Sequence, residues 1–178
     1  VVSDDLSGIN PPESPSKITR QFDGFHRPDG RVGTRNYVAI VSTVNCSATV
    51  CHKVVARFNS ERMQRWPNVD GVFAVTHTTG CALEYNGLKH QMLGRVLAGY
   101  AKHSNVGGCL IVGLGCEQTT AGYLSQHHGI VSLYAPDGKQ LTRDDGIPML
   151  TMQSEGGTRQ TIEKADALLE QVLDRANQ

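Results

Sequence analysis

The sequence predicts an α/β fold: a three-layer, Rossmann-like domain built on a mainly parallel sheet of four or more strands. Three observations carry this. Four short apolar runs, 37–44 "YVAIVSTV", 71–76 "GVFAVT", 108–114 "GCLIVGL" and 147–152 "IPMLTM", are nearly continuous, as in strands buried on both faces. Segments with apolar residues at helical spacing lie between and after them. The alternation of the two is what parallel strands joined by right-handed crossovers produce, with helices covering the sheet.

Residues 1–22, opening "VVSDDLSGINPPESPSK", are rich in Ser, Pro, Gly and Asp and have no apolar periodicity, so a flexible linker is expected there. A single α/β domain is expected over 23–178. In "FDGFHRPDGRVGTRNY", Pro28-Asp29-Gly30 signals a tight turn, because proline presets one dihedral and glycine accepts a positive φ; a small hairpin or ordered loop should precede the first core strand. The first helix is expected from Ser47 to Arg65, with Val50, Val54, Val55 and Phe58 on one stripe. The second is expected from Leu88 to Lys102, with Leu88, Met92, Val96 and Tyr100 as the apolar stripe. The last, Thr158 to Ala176, carries Ile162, Ala165, Leu169, Val172 and Leu173 at helical spacing behind Gly156-Gly157. "PNVDGVFAV" and "SNVGGCLIV" read as similar turns into a strand rather than as a repeat array. Between 125 and 146 the pattern is weakest, and its "APDG" turn suits a short inserted hairpin.

Composition removes several function classes. Lysine plus arginine equals aspartate plus glutamate at 17 each, so no net field favours nucleic acid or an anionic membrane. No apolar run approaches the roughly 20 residues needed to cross a bilayer. The acidic amino terminus lacks the basic start and apolar stretch of a signal peptide, and a cytoplasmic protein is expected. Five cysteines without a secretory signal point to metal ligands, nucleophiles or core thiols rather than a disulfide framework.

Three of those cysteines share one placement. Cys46, Cys81 and Cys116 each follow the end of a β-run, at intervals of 35 residues. If the runs are parallel strands, all three lie at the carboxyl edge of the sheet, where open α/β folds bind ligands. Strands about 4.8 Å apart would let such thiols share a metal or an iron–sulfur cluster, and helix amino termini there would favour thiolates. Any one strand-end cysteine is more often core filler; three in the same position shift the balance. Cys51, on a helix, and Cys109, inside a strand, are read as core residues. The spacing is not that of a structural zinc site, whereas sulfur from separate loops leaves the open position a catalytic iron centre needs.

His77, in "THTTGC", lies four residues before Cys81 and suits metal ligation or proton transfer near neutral pH, against the plainer reading of a hydrogen-bonded structural histidine. Glu117 follows Cys116 and reads as base, ligand or helix-start carboxylate. His127-His128 reads as part of a solvated loop. Gly113-Leu114-Gly115 is a poor dinucleotide fingerprint, since Glu117-Gln118 stands where a third glycine is needed.

Taken in order, "DGRVGTRNY" (29–37), "TVNCSATV" (43–50), "PNVDGVFAVTHTTGC" (67–81), "VGLGCE" (112–117) and "GGTRQTIE" (156–163) resemble the altronate/galactarate dehydratase family, over about Phe25 to Ala176. The resemblance implies a cytoplasmic hydro-lyase that removes water from a sugar acid such as altronate or galactarate, gives a 2-keto-3-deoxy acid and needs iron, mononuclear or in a cluster. It implies metal ligands at Cys46, Cys81 and Cys116, catalytic roles at His77 and Glu117, and substrate binding at Thr34, Arg35 and Asn36. By its own chemistry Arg35, with Arg31 as a second candidate, suits a planar two-point clamp on the substrate carboxylate, against the plainer reading of solvated surface arginines. The related sulfolactate sulfo-lyases share the architecture, so a sulfo-lyase acting on sulfolactate is an alternative. Family members usually carry a small amino-terminal lobe or subunit and a further carboxy-terminal half, so this chain resembles a middle segment whose partners are those domains and the sugar acid. A homo-oligomer stays open. The alternatives are a non-catalytic α/β binding or assembly domain and, third, a thiol redox protein, which lacks the two-residue cysteine spacing.

Overall fold

The computed structural model describes residues 21–27, 29–128 and 147–178. The expected linker over 1–22 lies almost wholly outside these residues, and so does most of 125–146 with its expected hairpin. Two-residue strands β1 (Phe25–His26) and β2 (Val32–Gly33) pair antiparallel across the expected turn, where Gly30 has a φ of +84°. The main sheet then follows as β3 (Tyr37–Ser42), β4 (Gly71–Val75), β5 (Val106–Gly113) and β6 (Met149–Thr151). Its order is β4-β3-β5-β6 and every pairing is parallel.

Helices α1 (Asn45–Val55), α2 (Ser60–Met63), α3 (Leu88–Ala101), α4 (Ala121–His128) and α5 (Thr158–Ala176) complete the described elements. Side chains alternate along a strand, and the two central strands feed two cores accordingly. Val38, Ile40, Leu110 and Val112 pack with α1 and α5. Ala39, Val41, Cys109 and Ile111 pack with α3 and α4. Three layers result. The chain leaves β3 for β4 on one side and returns to β5 on the other, so the strand order reverses beside β3 and a crevice opens at that carboxyl edge.

Four expectations change in detail. The helix expected over Ser47 to Arg65 breaks after Val55, because Asn59 accepts the Arg62 N–H at 2.9 Å and caps a new turn. Phe58, between the two, is buried with Trp66. β4 is only half-buried, being an edge strand. His127 and His128 end α4 rather than lying in a loop. The stripe expected to cover the core from α3 points outward: Leu88, Met92, Val96 and Tyr100 are exposed, while His90, Gly94, Leu97, Ala98 and Ala101 are buried. Apolar residues occupy both sides of this helix, and the close approach to α4 and the sheet selects the side with the smaller groups. A Cβ at Gly94 would collide with the His128 ring.

Candidate functional site

The site is assembled by three loops, one after each of three adjacent parallel strands. The loop after β3 is central. Its Thr43 N–H donates to the Val112 carbonyl (3.1 Å), and its Asn45 N–H donates to the Thr79 carbonyl (2.9 Å), tying it to the loops on both sides. Buried Ser47 Oγ donates within 2.8 Å of the Val112 carbonyl and meets Ser42 Oγ at 2.8 Å, so the first turn of α1 is pinned to the ends of β3 and β5. Gly80 is packed on Val44; at its φ of +137° a Cβ would stand 2.6 Å from Val44 Cγ2 and 3.0 Å from Val44 Cα. Only glycine permits both the backbone angle and the approach.

These ties bring Cys46, Cys81 and Cys116 together. All three are exposed and free. The Cys81 thiol is pushed up to about 11, first by lost hydration and then by its contacts with the thiols of Cys46 and Cys116. A thiolate at Cys81 would face two further sulfurs able to carry the same charge. Cys51 and Cys109 are buried, and lost hydration raises both thiols to about 12, as expected of inert core residues.

Sulfur donors from separate loops suit iron or an iron–sulfur cluster in chemistry. Among the described residues, however, no group of three or more His, Cys, Asp or Glu side chains could hold a metal ion as it stands. Ligation requires that thiols give up their protons and turn to a common centre.

His77 lies just past the end of β4. Its Nδ1 accepts the Thr79 N–H at 3.3 Å, and its Nε2 is buried beside the backbone of Ser42 and Thr43 without a well-formed hydrogen bond. Burial lowers its pKa below the ordinary value near 6.5, so the ring is neutral at pH 7. Glu117 is 6% exposed, and its carboxylate is occupied: it accepts from Thr43 Oγ1 at 2.6 Å, the Gly115 N–H at 2.6 Å and the Leu114 N–H at 3.2 Å. A Cβ at Gly113 would overlap this carboxylate. Glu117 thus fastens the Cys116 loop to the Cys46 loop.

Thr34, Arg35 and Asn36 are not brought to the thiols. They precede β3, whereas Cys46 follows it, and six strand residues separate the two ends by about 20 Å. There Arg35 pairs with Asp70 at 3.1 Å, the Thr34 N–H donates to Asn105 at 2.9 Å, and buried Asn36 donates to the carbonyls of Asn68 (2.7 Å) and Ala176 (2.8 Å) while accepting from Arg27 (2.9 Å). Arg31 pairs with Asp29 at 2.5 Å. The glycine-rich motif closes the amino edge of the sheet.

Sequence reasoning missed Thr43, although it stands inside a quoted motif, because its bond to Glu117 spans 74 positions. It also missed a cluster beside the site. Buried His90 stacks on Tyr123 with ring centres 4.1 Å apart, accepts the Asn86 N–H at 3.0 Å, and keeps Nε2 without a partner; Thr119 Oγ1 is likewise buried and unpaired. These residues sit in the first turns of α3 and α4 or just before, and no local spacing announces them.

Comparison with known proteins gives two findings. The family described as D-galactarate dehydratase/Altronate hydrolase, second domain, matches residues 24–177. An altronate dehydratase of Bacillus subtilis (strain 168) is 38% identical over 102 residues, 57% of this chain and 20% of that protein. An altronate dehydratase of Escherichia coli (strain K12) is 35% identical over 98 residues, 55% of this chain and 19% of that protein. The matched part is about a fifth of each relative's length. No solved structure gives a significant match.

Proposed function

The chain belongs to the D-galactarate dehydratase/altronate hydrolase family, as its second domain, and from that premise we propose that it is the thiol-bearing part of a hydro-lyase acting on a sugar acid such as altronate or galactarate. The product is a 2-keto-3-deoxy acid. The observation that carries the reading is the placement of Cys46, Cys81 and Cys116 just past three adjacent parallel strands, with the Cys81 thiol next to the other two.

Elimination of water from a sugar acid begins at a carbon beside a carboxylate, whose proton is very weakly acidic. Iron held by the three thiolates would supply positive charge where negative charge develops, an effect worth several kcal/mol. The chain's own residues do the rest. His77, kept neutral by burial, is the candidate base, taking a proton at Nδ1 when that nitrogen gives up the Thr79 N–H it now accepts. Glu117 serves as a positioning residue that holds the Cys116 loop on Thr43. Arg35, Thr34 and Asn36 have structural partners at the far edge and no part in the step at the thiols.

The test is anaerobic reconstitution with ferrous iron, followed by iron counts in the parent chain and in Cys46→Ser, Cys81→Ser and Cys116→Ser. Loss of iron in each supports the proposal, and undiminished iron in all three rejects it. The complete enzyme containing this domain, screened with hexonates, hexarates and sulfolactate, would identify the acid and the leaving group through its 2-keto product.

A further inference from the structure

The outward face of α3 is unlike an ordinary solvated helix face. Leu88 is 71% exposed, Met92 53%, Val96 49% and Tyr100 49%. At about 100° per residue the four helical positions form one stripe opposite the buried side, and Gly99 in the same stripe leaves open space, since a Cβ there would meet nothing within 4 Å. Scattered exposed apolar residues need no explanation, but a continuous stripe marks a surface for association.

The stripe has a charge signature. Lys89 falls between Val96 and Tyr100 around the helix and Arg95 lies on the margin beside Leu88; both are exposed, and the helix carries no Asp or Glu. We propose that this face of α3 docks an amphipathic helix whose apolar ridge is edged by carboxylates, contributed by a protein region outside this domain. Apolar contact would come from the stripe, and the two cations would set orientation and reject basic partners. A second copy of α3 fits less well, because each copy presents cations and no carboxylate from this helix. The matched relatives are about five times longer than the aligned segment, so such proteins contain further polypeptide able to supply the docking helix.

The experiment uses the 178-residue chain and two fluorescein-labelled helical peptides with the same leucine ridge, one edged by glutamates and one by lysines. Anisotropy titrations should show the acidic peptide binding at least about tenfold tighter, with the difference shrinking as salt rises. Met92→Glu and Val96→Glu should abolish binding while circular dichroism and Tm stay at parent values, and Lys89→Glu with Arg95→Glu should reverse the peptide preference. Equal affinity for the two peptides, or none for either, would overturn the proposal. So would a peptide-free dimer in sedimentation velocity that Val96→Glu dissociates, or tighter binding to phosphatidylserine vesicles than to the acidic peptide. None of these readouts involves iron or turnover.

Discussion

Replacing Glu117 with glutamine separates a positioning role from a catalytic one. One carboxylate oxygen accepts from Thr43 Oγ1 and the Leu114 N–H, and the other accepts the Gly115 N–H at 2.6 Å. Glutamine preserves the shape but brings an amide N–H where an acceptor is needed. In either amide orientation, one backbone N–H of the loop then faces another donor. Loss of one charge-assisted bond, about 1.5–3 kcal/mol, together with a poorly satisfied N–H, gives an expected destabilisation of about 2–4 kcal/mol. For a domain of this size that lowers Tm by about 5–15 °C. Urea denaturation of the parent and of Glu117→Gln measures it directly. Adding Thr43→Val should cost less on the Glu117→Gln background than on the parent, because the two residues share a bond. A loss under about 0.5 kcal/mol would refute the argument, and lost turnover in the complete enzyme at unchanged stability would make Glu117 a catalytic group instead.

Gly80→Ala meets both a φ of +137° and Val44, and should cost about 2–4 kcal/mol in the same assay; parent-like stability would show that the Cys81 loop is not held by this approach. A thiol reagent at neutral pH should modify Cys46 and Cys116 in the native protein, Cys81 more slowly because its thiol is pushed up to about 11, and Cys51 and Cys109 only after denaturation; mass mapping of the labelled peptides decides. Burial lowers the folded-state pKa of His77 and of His128, the latter with help from His127, Lys102, Arg95 and His90. Both rings therefore contribute full stability above the ordinary value near 6.5, and that contribution falls as acidification protonates the unfolded chain first. Denaturation midpoints should drop between pH 7.5 and 5.5, less steeply in His128→Gln, and a flat profile would contradict this. Arg35→Ala, at an exposed ion pair, should cost about 0–1 kcal/mol and leave the iron count unchanged; lost iron would mean that the two sheet edges are coupled.

Local pattern was most informative where burial is complete. The central strands are apolar because both faces are covered, and the Thr158–Ala176 helix shows in its periodicity because one side meets the sheet and the other meets water. Periodicity failed at α3, where apolar groups lie on both sides and only packing against α4 and the sheet selects the inner one. It also failed for the helix expected through residues 56–59, which a short polar cap interrupts.

The sequence by itself determined the α/β class, the strand-end placement of Cys46, Cys81 and Cys116, the core character of Cys51 and Cys109, and the family resemblance. All of these follow from local pattern or ordered motifs. Tertiary structure alone decided that the three thiols meet, that Glu117 is held by Thr43, and that Thr34, Arg35 and Asn36 close the opposite edge. It also left the α3 stripe facing outward. These depend on strand order and on hydrogen bonds between residues far apart in the chain, which residue spacing does not encode.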